Sequence, residues 1–168
     1  MGWLGAAAVG TSTRAAIADP AADKSVSFVH THTGEKLTAV YWHDGQYQPE
    51  VLLQLNHLLR DFRTNEVHAM DPALFDLLFD LRTKVGSDRA FQVISAYRSP
   101  QTNAMLRHSS QGVAEHSLHM QGKAIDVRLE SFPTARLAEV ARSLRRGGVG
   151  YYRTSDFVHV DTGRVRYW

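Results

Sequence analysis

The run Ala124 to Leu129, AIDVRL, has the apolar character of a buried strand, yet an aspartate stands inside it. Carboxylates are seldom buried in such a strand unless they are paired or metal-bound, because taking the charge out of water is costly. Whatever this chain folds into must therefore bring a partner to Asp126. His119 lies upstream with six residues between the two. That spacing is wrong for one helix face, where partners sit three or four residues apart. It suits a loop residue folding back on a strand residue, with Gly122 permitting the bend. His159 sits in a second apolar, strand-like run, FVHVD (157–161). Taken singly, each histidine reads more readily as an ordinary hydrogen-bonding group. Together, two imidazoles and one carboxylate suit zinc, which takes tetrahedral nitrogen and oxygen ligands and can keep a fourth position for water. Water bound in such a site can lose its proton near neutral pH.

Composition narrows the alternatives. The chain has no cysteine, which excludes a disulfide scaffold, thiolate-ligated zinc, iron–sulfur clusters and thiol catalysis. Its nine histidines leave imidazole as the main nitrogen ligand and proton carrier. Lys plus Arg is 19 against 17 for Asp plus Glu, a formal charge of +2. That balance gives no argument for nucleic acid, and no polybasic run suggests a membrane surface. The length of 168 residues fits one domain.

Residues 1–20 carry a short apolar run, Trp3 to Val9, followed by Ala16-Ile17-Ala18, the small-residue pattern at which signal peptidase cuts. No basic stretch precedes the apolar run, so the segment reads as an incomplete signal or a disordered tail and is set apart from the domain at 21–168. After it, Val26–Val29 and Leu37–Trp42 read as strands of a β-meander, with turn signals at Thr33-Gly34-Glu35 and Asp44-Gly45. Val51, Leu55, Leu58, Leu59 and Phe62 recur at helical spacing. A second helix starts at Asp71-Pro72 and stops at Gly86. Further on, strands are predicted at 91–97, 124–129, 149–152, 157–160 and 164–167. Helices are predicted from 99 to 106 and from 133 to 146, with a polar loop at 108–118 between the first of them and AIDVRL. The class is α+β, helices on a mostly antiparallel sheet. His30-Thr31-His32 precedes a turn and is assigned no metal.

Several motifs occur in order. S-x-H-x-x-G-x-A-I-D-V (Ser117 to Val127) resembles the zinc-ligand motif of the LAS/Hedgehog-type metallopeptidases, which include D-alanyl-D-alanine dipeptidases and carboxypeptidases. SAYRS (Ser95 to Ser99) resembles their S-G-Y-R-S segment, with Ala96 in place of Gly. GGVGYY and FVHVDTGRVRYW (Gly147 to Tyr152, Phe157 to Trp168) are similar to the murein endopeptidase K branch, as are HTGEKL, LNHLLRDFR and DPALFDLL. The resemblance covers roughly residues 25–168. It implies the LAS/Hedgehog-type peptidase fold, one zinc on His119, Asp126 and His159, and hydrolysis of peptidoglycan cross-links. Those cross-links are D-Ala–diaminopimelate or diaminopimelate–diaminopimelate bonds between stem peptides. It also implies action in the periplasm, with no nucleic-acid partner and no membrane span in the mature chain. A carboxypeptidase or dipeptidase of the same superfamily, and a non-catalytic peptidoglycan-binding domain, are the competing functions. Arg98 matches the arginine of the S-G-Y-R-S segment, and its fork suits a carboxylate or an oxyanion. Asp161, two residues from His159 on an extended strand, shares its face. It is taken as general base or as the group that orients a ligand. Asp156, three residues before His159, is the other candidate base. His116 reads as a solvated loop histidine rather than a proton shuttle or substrate contact, Tyr151 and Tyr152 as cleft lining or edge packing, and Trp168 as a core plug rather than a ligand platform.

Overall fold

The computed structural model describes residues 22–109 and 113–168. The signal-like segment assigned to residues 1–20 lies outside the described residues, and so does part of the 108–118 loop. The elements run β1 (Lys24–His30), β2 (Lys36–His43), β3 (Gln46–Tyr47), α1 (Pro49–Leu58), α2 (Pro72–Val85), β4 (Phe91–Ser95), α3 (Pro100–Ser109), β5 (Ala124–Leu129), α4 (Thr134–Leu144), β6 (Gly148–Tyr152), β7 (Phe157–Asp161) and β8 (Arg166–Tyr167). A 3-10 turn, Leu118–Gln121, precedes β5.

The strands form one sheet in the order β3-β2-β1-β4-β5-β7-β6-β8. It is mixed, which corrects the expectation of a mostly antiparallel sheet: β1 runs parallel to β4, and β6 parallel to β8. The first parallel pair exists because α1 and α2 carry the chain from the meander back to the edge of β1. A crossover of that kind is what parallel neighbours require. α2 packs against β1 and α4, and α4 packs across β5, β6 and β7.

Local chemistry sets the helix ends. Asp71 accepts from the Ala73 amide at 3.0 Å, Pro72 opens α2, and Gly86 closes it in the left-handed region at φ 70°. The first helix ends at Leu58, short of Phe62, whose ring stacks on His32 at a centroid distance of 4.1 Å. Periodicity alone carried that helix too far, because Phe62 is apolar for a contact outside the helix.

Strand alternation then divides the sheet into two chemistries. Ile125 and Val127 of β5, and Val158 and Val160 of β7, belong to the apolar core, together with Leu74, Leu78 and Leu81 of α2 and Leu137 of α4. Successive side chains of a strand point to opposite faces. Asp126, His159 and Asp161 therefore emerge on the far side of the sheet from that core.

Candidate metal centre

Asp126 and His159 are directly opposed across the antiparallel β5–β7 pair, and Ser95 opposes Asp126 on the β4 side after an irregularity in β4. The ladder thus fixes one carboxylate and one imidazole on the same face. His119 arrives from outside the sheet on the 3-10 turn, which Ser117 caps by accepting from the His119 amide at 3.3 Å. Gly122 closes the turn at φ 66°, and a side chain there would run into the Ala69 carbonyl oxygen. The Asp71 amide donates to the Gly122 carbonyl at 2.9 Å, so the start of α2 ties down the same turn.

All three side chains are buried, and three of their atoms converge. His159 Nδ1 lies 2.9 Å from Asp126 Oδ1 and 3.2 Å from His119 Nε2, and His119 Nε2 lies 3.3 Å from Asp126 Oδ1. The outer nitrogens define what the inner ones are. His119 Nδ1 is 2.7 Å from the Ala96 carbonyl oxygen, which can only accept, so Nδ1 carries the hydrogen. His159 Nε2 faces Asp161 Oδ2 at 2.9 Å and donates likewise. In the neutral rings, both inward nitrogens are then lone pairs, aimed at each other and at a carboxylate oxygen. Three acceptors so placed need a positive charge between them, which a proton on His159 or a metal ion can supply. Zinc bonds of about 2.0–2.2 Å at tetrahedral angles set neighbouring ligand atoms about 3.3 Å apart, which this triangle matches. His119, Asp126 and His159 are the group able to hold a metal ion among the described residues.

The protonic electrostatics agree. Burial disfavours a charged His159, but hydrogen bonds to Asp126 and Asp161 outweigh it and push its pKa up to about 9. Burial likewise opposes ionisation of Asp126, and the charge and hydrogen bonds of His119 and His159 overcome it, holding the carboxyl well below its usual range. The cluster attracts positive charge.

Asp161 is fully buried and its oxygens are filled. Oδ1 accepts from the Gly148 amide at 3.0 Å, the Gly163 amide at 2.9 Å and Arg166 Nη1 at 3.0 Å. Oδ2 accepts from His159 Nε2 and from Arg166 Nη2 at 2.7 Å. Asp156, at φ 52° in the turn between β6 and β7, engages Arg128 at 3.2 Å on the exposed side. Arg98 lines the cleft beside the ligands. Its amide donates to the His119 carbonyl at 3.2 Å, and its Nη2 stands 4.0 Å from Asp126 Oδ2. Its Nε is buried and has no partner among the described residues.

The cleft encloses about 500 Å³ above these groups. His116 lines it from an exposed position, and Tyr152 lines it as well, while Tyr151 packs against the core. Trp168 corrects the reading as a core plug, because it is 47% exposed and forms part of the cleft wall. Its role was hidden because nothing in a lone aromatic at that position says whether its neighbours cover it.

With this geometry in place, the comparisons become informative. A family model described as peptidoglycan L,D-endopeptidase MepK matches residues 19–168. The probable peptidoglycan L,D-endopeptidase MepK of Haemophilus influenzae is 44% identical over 166 residues, covering 98% of this chain and 89% of that protein. The peptidoglycan L,D-endopeptidase MepK of Escherichia coli K12 is 41% identical over 165 residues, covering 98% and 90%.

Proposed function

The chain belongs to the peptidoglycan L,D-endopeptidase MepK family, and from that premise we propose that it is a zinc endopeptidase cutting peptide cross-links of peptidoglycan. In this reading His119, Asp126 and His159 hold one zinc ion, and the fold is that of the LAS/Hedgehog-type peptidases. The peptidase unit spans residues 21–168, and residues 1–20 serve export to the periplasm. The observation that carries it is the triangle of three acceptor atoms at 2.9, 3.2 and 3.3 Å, each outer nitrogen already committed as a donor. No helix of the described residues is long and apolar enough to cross a membrane.

L,D specificity, carried over from the relatives, selects the diaminopimelate–diaminopimelate bridge. The D-Ala–diaminopimelate bridge joins two D-centres. When bound, zinc supplies Lewis acidity toward the scissile carbonyl and a water acidic enough to deprotonate near neutral pH. The chain's own residues do the rest. The Ala96 carbonyl and Asp161 hold the imidazole N–H groups outward, which keeps the inward nitrogens free as ligands. Of the two roles read for Asp161, orienting His159 is the one its filled oxygens support. Arg98 presents a desolvated guanidinium whose Nε has no partner among the described residues, suited to a substrate carboxylate or a developing oxyanion.

Digestion of purified sacculi, followed by muropeptide separation, tests the reading. Cross-linked dimers should fall and monomers rise, the change should stop with a chelator, and zinc should restore it. Release of free D-Ala from pentapeptides with dimers untouched would point to a carboxypeptidase. Binding to sacculi without turnover at full zinc occupancy would leave a non-catalytic domain.

A further inference from the structure

Trp168 is held more firmly than an exposed residue needs to be. Its amide donates to the Val149 carbonyl at 3.2 Å, and its carbonyl accepts from the Tyr151 amide at 3.1 Å and from Arg142 Nη2 at 3.2 Å. Its indole N–H donates to the Tyr152 hydroxyl at 3.0 Å, and the Arg166 guanidinium stands 5.0 Å from the ring. Gly150 makes the seat: a Cβ there would lie 2.5 Å from Trp168 Cε2. So fixed, the indole lies 5.3 Å from the His159 ring, centroid to centroid, and the residue, 47% exposed, lines the cleft. An indole whose only task was to fill the core would be covered. A rigid, half-open indole beside a metal-ligating imidazole is a contact surface prepared in advance.

We propose that Trp168 is a specificity-determining residue of the cleft, an aromatic plate for the aliphatic arm of the substrate's diamino-acid residue, working with Arg98, which takes the carboxylate at the end of that arm. The inference rests on the reading of the cleft as the peptidase site and extends it to one arm of the substrate. The chemistry of the two walls is complementary to such an arm. A chain of methylenes gains by covering an indole, an ammonium gains further from the ring's negative face, and a carboxylate fits the buried guanidinium fork. A side chain lacking either the methylenes or the terminal charges would satisfy only one wall.

Steady-state kinetics on a purified diaminopimelate-cross-linked muropeptide dimer test this with Trp168→Ala and Trp168→Phe. The alanine variant should raise KM by about tenfold, with kcat within about threefold of the parent, and phenylalanine should recover most of the loss. Zinc content should stay at the parent's value in both. A second readout leaves Trp168 in place. In a Trp3→Phe, Trp42→Phe background, adding the monomeric muropeptide product to the zinc-loaded protein should shift the Trp168 emission saturably. Unchanged kinetics in both Trp168 variants, or no emission change at product concentrations that inhibit cleavage, would overturn the proposal. So would a kcat loss that tracks lost zinc, since Trp168 would then only support His159. If the parent shows the emission shift but no cleavage, the contact stands and the peptidase reading falls.

Discussion

Asp76 of α2 and Asp126 of β5 are two carboxylates held among polar side chains, the first against the meander and the second in the cleft. Asp76 of α2 accepts from Lys24 Nζ at 2.8 Å, Tyr41 Oη at 3.0 Å and Tyr47 Oη at 2.6 Å. Every neighbour is a donor, so the cluster is complete as it stands and joins the meander to the helix. Asp126 of β5 meets two imidazole nitrogens whose hydrogens lie on the other side of the rings, bound to Ala96 and Asp161. With neutral rings the neighbours here are acceptors, and the cluster is complete only with a positive charge at its centre, whether a proton on His159 or a metal ion. Burial and the number of partners do not distinguish a structural carboxylate from a proposed metal ligand. The direction in which the partners' hydrogens point does.

The largest expected effect comes from removing one of the proposed zinc ligands. His119→Ala should lose bound zinc and lower kcat/KM on cross-linked dimers by about 10³-fold or more, the scale of deleting an electrostatic transition-state group. Zinc retained in full with normal turnover would erase the difference between the two clusters. Asp161→Asn comes next. Loss of the group that orients His159 should weaken zinc binding by about 10- to 100-fold, and excess zinc should restore the rate. If the rate stays low at full occupancy, Asp161 takes part in proton transfer rather than in positioning.

Asp76→Asn should invert that pattern. Leaving Lys24 and two tyrosine hydroxyls with a poorer acceptor should cost about 1–3 kcal/mol in urea unfolding, with zinc stoichiometry and kcat/KM at parental values. Lost zinc in this variant would show that the two halves are coupled. The smallest effect is on acid sensitivity. Burial opposes ionisation of Asp76, but Lys24, Tyr47 and Tyr41 outweigh it and lower its pKa. Asp61 is lowered in the same way, with Thr102 and Ser99 overcoming burial. A lowered folded pKa means that the unfolded chain takes up the proton first. The stabilisation is therefore present above the ordinary value of 3.8 and lost as the pH falls below it. Urea midpoints with chelator present, taken between about pH 5 and pH 2.5, should fall less steeply for Asp76→Asn than for the parent.

Much of the His119–Asp126–His159 convergence was legible in the linear chain, because Asp126 is conspicuous inside AIDVRL and because FVHVD repeats the oddity. Asp76 was invisible by comparison. In the helical register of DPALFDLLFDLR an aspartate between Phe75 and Leu77 reads as a solvent-facing position, and nothing local announces Lys24 and two tyrosines from a meander some thirty to fifty residues away. Asp161 was placed beside His159 by strand alternation, but its five donors come from three separate stretches of chain, and only their convergence favours support over base.

Caps, turns and alternation were settled by the sequence alone, since each depends on atoms within about one turn or one pleat of itself: Asp71 beside Pro72, Gly86 in the left-handed region, Val158 and Val160 inward with His159 outward. Tertiary structure alone decided the parallel seating of β1 on β4, the 3-10 turn that swings His119 onto the sheet, and the exposure of Trp168 on Gly150. Those features are contacts between residues remote along the chain, and their energies exist only once the whole sheet has closed around them.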